Sequence, residues 1–124
     1  MIHHVALRVA DVERSRAFYS DLLGLRELRR FEDAGGGLRS VWLSAVPAVL
    51  MLETQLKGGG PEGGSGTGTG TGHVLALAVH SLHEWEERLQ AAGVTIEDRT
   101  AYTLYLRDPD GHRVGLSVYR FDSR

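Results

Sequence analysis

Bulky apolar residues alternate with small or polar ones near the start of the chain. Val5, Leu7 and Val9 hold one parity, and His4, Ala6 and Arg8 hold the other. A period of two predicts a strand with the bulky face packed against something. The same pattern returns at Leu75, Leu77 and Val79, set against Val74, Ala76 and Ala78. Each run then meets a helix-capping residue, Asp11 or Ser81, and Ser81-x-x-Glu84 has the form of a capping box. Leu82, Trp85, Leu89 and Ala92 fall on one helical stripe, with Gly93 just past its end. In the first half Val12, Phe18 and Leu22 take that part and Gly24 ends the helix. Shorter strand candidates follow. They are Arg39 to Ala45 and Ala48 to Thr54, joined at Val46-Pro47, then Tyr102 to Arg107 and Arg113 to Tyr119. The last two are joined by Asp108-Pro109-Asp110-Gly111, whose Pro at i+1 and Gly at i+3 suit a type I turn. Each half thus reads βαββ or βαβββ, and the two halves form a tandem repeat. Val9 and Val79, Asp11 and Ser81, and Val12 and Leu82 all stand 70 residues apart, which anchors the register of the repeat.

Between the halves, Gly58 to Gly72 holds nine glycines in fifteen residues. A phosphate-binding loop needs G-x-x-x-x-G-K-[ST] and a following helix. No Lys follows this run, and His73 to Val79 alternates like a strand. Such a run is expected to be a flexible tether spanning roughly 20 Å. The expected organisation is one domain over residues 1–124, with module one at 1–56, the Gly-rich loop at 57–72 and module two at 73–124.

Composition narrows the partners. The 124 residues suffice for one compact domain, and a formal net charge of -2 offers no electrostatic reason for nucleic acid or an anionic membrane. There is no run of 18 apolar residues and no secretory leader pattern at the N-terminus, so a cytoplasmic protein is expected. The absence of Cys removes disulfides, thiolate metal ligands and a Cys nucleophile. No local signature binds the Ser and His residues into a nucleophilic triad.

The run His4-Val-Ala-Leu-Arg-Val9, Asp11 to Ser15, Phe18-Tyr-x-Asp-x-Leu-Gly24 and the turn Arg107-Asp-Pro-Asp-Gly111 together resemble the glyoxalase and bleomycin-resistance group, the vicinal oxygen chelate superfamily. The resemblance spans essentially the whole chain. It implies an α+β fold of tandem βαβββ modules, curled mixed sheets around a cleft, and a homodimer. Its enzymes hold a divalent metal such as Zn, Ni, Mn or Fe with His and Glu from four strands. Its antibiotic-resistance members include metal-free dimers that only sequester a drug.

The resemblance supplies four ligand positions to test. The first is His4, five residues before Val9; the matching place before Val79 is Val74. His73 corresponds to His3, and an offset of one residue sends a strand side chain to the opposite face. Only a β-bulge would bring His73 back. The second position, in the pattern A-V-[LI]-E-L, holds Met51, with Glu53 two residues further on. The fourth, four residues past the turn glycine, holds Gly115. One His with Val, Met and Gly at the other corners does not make a metal site.

Alternation instead assigns a cleft lining of small residues, aromatics, Met and a few charges, suited to an organic ligand. The residues expected to bind it are His4, Arg8, Trp42, Met51, Glu53, Tyr105, Arg113 and Tyr119. Arg8 and Arg113 suit a carboxylate or phosphate, and Gly115 leaves room at the floor. The expected function is metal-independent sequestration of a small organic ligand by a homodimer of the bleomycin-resistance type, without a cofactor. The alternative is a metal-dependent lyase, isomerase or dioxygenase using His4, Glu53 and a bulge-shifted His73. A His4–Glu53 pair within hydrogen-bond reach would also serve acid-base work. A third possibility is a structural or regulatory module whose cleft is closed by its own side chains.

Overall fold

A computed structural model describes residues 1–57 and 72–121. The expected glycine tether falls almost wholly on residues outside that set. The chain divides into two compact units, Met1–Gly59 and Gly60–Arg124.

In the first unit the order is β1 (His4–Arg8), α1 (Val12–Arg16), a π-helical continuation (Ala17–Leu22), β2 (Glu27–Glu32), β3 (Leu38–Ala45) and β4 (Ala48–Glu53). The sheet order is β1-β4-β3-β2, with β1 parallel to β4 and the other pairs antiparallel. The bulky parity is the core parity: Leu7, Val41, Leu43, Leu50 and Leu52 are buried, together with Val12, Phe18, Tyr19 and Leu23 of the helical layer. Burying each of these large apolar side chains contributes about 1.5–3 kcal/mol. Asp11 caps α1 by accepting a hydrogen bond from the Arg14 N–H at 3.1 Å. The expected stripe slips at its end. Leu23 N donates to Phe18 O at 3.0 Å, a five-residue step that widens the turn. The wider turn advances the phase, so Leu23 enters the core and Leu22 stays half-buried.

In the second unit the order is β5 (Leu75–Ala78), α2 (Leu82–Ala91), β6 (Asp98–Arg99), β7 (Thr103–Arg107) and β8 (Arg113–Ser117). The sheet order is β5-β8-β7-β6, with β5 parallel to β8. Leu89, Leu104, Leu106, Val114 and Leu116 form its core. Ser81 caps α2 through Oγ, which accepts from Glu84 N at 3.2 Å, the first half of the expected capping box. Gly93 takes φ 72°, as a residue past a helix end must. Only Leu89 of the expected stripe is buried; Leu82 and Trp85 are half-buried, Ala92 is exposed, and Arg88 stacks 4.1 Å over the Trp85 ring. In the β7–β8 turn Gly111 N donates to Asp108 O at 3.0 Å, and Asp108 Oδ1 accepts from the N–H groups of Asp110 and His112.

Both units are therefore βαβββ, each with a four-stranded mixed sheet. Three expected strands are shorter than the pattern indicated, so Thr54, Tyr102, Val118 and Tyr119 lie outside the ladders. The repeat also holds at the level of single hydrogen bonds. Val9 N donates to Glu53 O and Val79 N to Ser117 O, each at 2.9 Å.

Candidate functional site

In each unit, the face opposite the buried leucines holds most of the residues expected at the site. Strand register arranges the first unit's face in three rows. His4 stands beside Val49, and Val49 beside Ser44. Ala6, Met51, Trp42 and Arg29 make the second row, and Arg8, Glu53, Ser40 and Phe31 the third. Ala6, Val49, Met51, Trp42, Phe31 and Glu53 are all half-buried, and His4 and Arg8 are exposed.

One hydrogen-bonded cluster organises this face. The Trp42 indole N–H donates to Ser40 Oγ at 3.1 Å and to Glu53 Oε2 at 3.2 Å. The Ser40 hydroxyl, on a residue only 3% exposed, also donates to Glu53 Oε2. The indole is thereby fixed by its polar edge, and the Phe31 ring flanks it at 5.0 Å and 54°. Arg8 is drawn off, donating through Nη1 to the Leu56 carbonyl at 3.0 Å. The Arg29 guanidinium lies 5.2 Å over the Phe31 ring.

The second unit repeats this plan with different contents. Ala76, Gly115 and Tyr105 form the row that corresponds to Ala6, Met51 and Trp42. Thr103 and Ser117 take the places of Ser40 and Glu53, with Thr103 Oγ1 donating to Ser117 Oγ at 2.8 Å. The room expected above Gly115 is filled. A Cβ there would lie 3.4 Å from Tyr105 Cε1, 3.4 Å from Ala76 Cβ and 3.3 Å from Thr103 Cγ2. Arg113 covers the Tyr105 ring at 4.2 Å and reaches Glu97 at 3.4 Å and Asp98 at 3.6 Å. Hydrogen bonding from Arg107, with Arg113 nearby, holds the Glu97 carboxyl below the usual carboxylate range. Arg113 was expected to meet an anionic ligand; its charge is met by these carboxylates and its plane by the tyrosine. Tyr119 lies past β8, its ring edge-on to Tyr102 and Phe121 at 5.1 Å each. It lines a cavity of about 350 Å³ with Ala78, His80, Ser117 and Arg120.

The ligand positions implied by the family resemblance can now be placed within each sheet. Met51 and Gly115 occupy equivalent positions, beside Ala6 and Ala76. His4 lies opposite Val49 while Glu53 lies opposite Arg8. Four residues of strand separate the two, roughly 13 Å. An ion held by bonds of about 2 Å cannot join them, nor can a hydrogen bond. His73 precedes β5 at the parity of Leu75 and Leu77, the core parity, and its ring stands 6.1 Å from that of His112. His4 Nδ1 is instead 2.9 Å from His3 Nδ1. Among the described residues no group of three or more His, Asp or Glu side chains is arranged to hold a metal ion.

Sequence reasoning missed Ser40 and Phe31. Ser40 is two residues before Trp42, so alternation alone puts both on one face. Phe31 sits on β2, whose Glu-Leu-Arg-Arg-Phe-Glu sequence has no clean period and whose pairing with β3 shifts register twice.

No helix among the described residues is long and apolar enough to cross a membrane. No curated protein matches the chain. Among solved structures, a lactoylglutathione lyase from Agrobacterium tumefaciens is 22% identical, with 94% of this chain and 92% of that chain covered and a TM-score of 0.66. A glyoxalase/dioxygenase from Nostoc punctiforme is 22% identical over 94% of this chain and 88% of that one, with a TM-score of 0.72. TnmS3, an antibiotic binding protein from a Streptomyces species, is 21% identical over 94% and 93%, with a TM-score of 0.69. At these identities the likeness is one of fold. The family model of the Glyoxalase/Bleomycin resistance protein/Dioxygenase superfamily matches residues 1–116. The chain belongs to that superfamily.

Proposed function

We propose that the protein is a metal-independent binder of a small organic ligand, acting as a homodimer that sequesters the ligand without making or breaking a bond. The observation that carries this is the open face of the first sheet, where Trp42 is pinned by Ser40 and Glu53 beside Phe31 and Met51. An aromatic side chain held by its polar edge loses little freedom when a flat ligand stacks on it. His4, Arg8, Trp42, Met51 and Glu53 line that face, and the ligand is taken up there. Tyr105 and Arg113 belong to a self-filled surface on the other sheet and support it structurally. The separation of His4 from Glu53 favours this reading over a metal-dependent lyase, isomerase or dioxygenase. That an antibiotic binding protein shares the fold is consistent with drug sequestration and antibiotic resistance.

The test is metal analysis of the protein as purified, then a thermal-shift screen of aromatic compounds and light scattering on EDTA-dialysed protein. Ligand-dependent stabilisation of a dimer without bound metal, and recovery of the ligand unchanged, is expected. One equivalent of Zn, Ni, Mn or Fe per chain, lost on changing His4, would overturn it.

A further inference from the structure

The Glu53 carboxylate receives two hydrogen bonds, from Ser40 and Trp42, and both enter through Oε2. Oε1 takes neither. The two arginines that share this face are engaged elsewhere, Arg8 on the Leu56 carbonyl and Arg29 on the Phe31 ring. A half-buried carboxylate so placed favours a charged donor, because removal from water raises the worth of a charge-assisted hydrogen bond. Its neighbours supply the complementary apolar contact. Trp42 lies beside Met51 on the adjoining strand, and Phe31 flanks the indole.

The geometry points to a ligand class: a planar aromatic cation, with its ring against Trp42 and Met51 and its N–H donor on Glu53 Oε1. This rests on the proposal that the first sheet's open face is the ligand site. Glu53 then selects by charge, while Ser40 and the indole N–H position it by holding its other oxygen. The repeat offers an internal comparison. At the equivalent place the second unit has Ser117, which carries no charge, and there Tyr105 folds onto Gly115.

Three probes of one ring size test it by fluorescence titration at neutral pH: proflavine as the cation, acridine as the neutral ring, and 9-anthracenecarboxylate as the anion. The wild type is expected to bind proflavine about tenfold or more tighter than the other two, in keeping with one charge-assisted hydrogen bond. Glu53→Gln is expected to remove that preference, bringing proflavine to the affinity of acridine. Ser40→Ala removes one of the two bonds that hold Glu53 and leaves the indole N–H on Oε2, so it is expected to reduce the proflavine preference without abolishing it, and an unchanged preference would count against the positioning role. Tighter binding of 9-anthracenecarboxylate would overturn the inference and assign selection to the arginines. Equal binding of proflavine and acridine, or a preference that survives Glu53→Gln, would also overturn it, yet leave the ligand face standing. Binding of none of the three would remove both.

Discussion

Gly115→Ala adds one methyl group at the position where the superfamily resemblance implies a metal-binding Glu. Its Cβ would lie 3.3 Å from Thr103 Cγ2 and 3.4 Å from both Ala76 Cβ and Tyr105 Cε1. Carbon contacts are most favourable at about 3.5–4.0 Å, so a neighbour has to move. None of the three is loose. Thr103 is tied through its hydroxyl to Ser117, Tyr105 lies under the Arg113 guanidinium, and Ala76 has only a methyl on a paired strand. Overpacking of this kind costs about 1–3 kcal/mol. Against it stands a gain of about 0.4–1 kcal/mol, because Ala restricts the unfolded chain more than Gly does. The difference is a net loss of about 1 kcal/mol, or a Tm lower by roughly 4 °C for a chain of this size. Urea unfolding followed by circular dichroism, with m unchanged, reads it. In a Tyr105→Ala background the contact to Cε1 is gone while those to Thr103 and Ala76 remain, so the loss should shrink. A Gly115→Ala protein as stable as wild type would refute the view that this corner is filled, and a loss unchanged by Tyr105→Ala would refute the tyrosine's part in filling it.

Other expectations concern the framework. Leu43, with no exposed surface, should cost about 2–5 kcal/mol as Leu43→Ala, seen as a lower urea midpoint. Ser81→Ala removes the cap of α2 and should cost about 1 kcal/mol in the same assay. The Glu97 carboxyl is depressed in the folded protein below its ordinary value of 4.5, chiefly by the hydrogen bond from Arg107. Its stabilisation is therefore complete above the unfolded value and is lost as pH falls through the folded one. Wild type should unfold at a higher temperature than Glu97→Gln at pH 7, and the gap should close in acid. A gap that widened in acid would show that the ion pair is not its source.

Much of the fold was legible because period-two alternation and caps are local signals. The runs at Val5 and Leu75, the helix cap at Ser81 and the turn at Asp108 all stand where the pattern puts them. What escaped was set by partners distant in sequence. β2 is an edge strand with two register shifts, so its own residues show no period. β6 is two residues long and exists only through its pairing with β7. The π turn moved Leu23 into the core by a backbone step that no side chain announces. The site divides in the same way. Face membership of Trp42, Met51 and Glu53 followed from alternation, whereas the Ser40 bond to Glu53 needed the pairing of β3 with β4. Gly115 was expected to leave a gap, and Tyr105 fills it from the neighbouring strand, as the β7–β8 register allows.

The central claim is that the Trp42 face takes up an organic ligand without a metal. Titration of EDTA-dialysed wild type and Trp42→Ala with proflavine tests it most directly. Saturable binding by the wild type is expected, unchanged on adding Zn and weakened about tenfold or more in the variant, the loss of a stacking contact of about 1.5 kcal/mol. Binding that appears only once Zn, Ni, Mn or Fe is added, or that is equally tight without the indole, would contradict it.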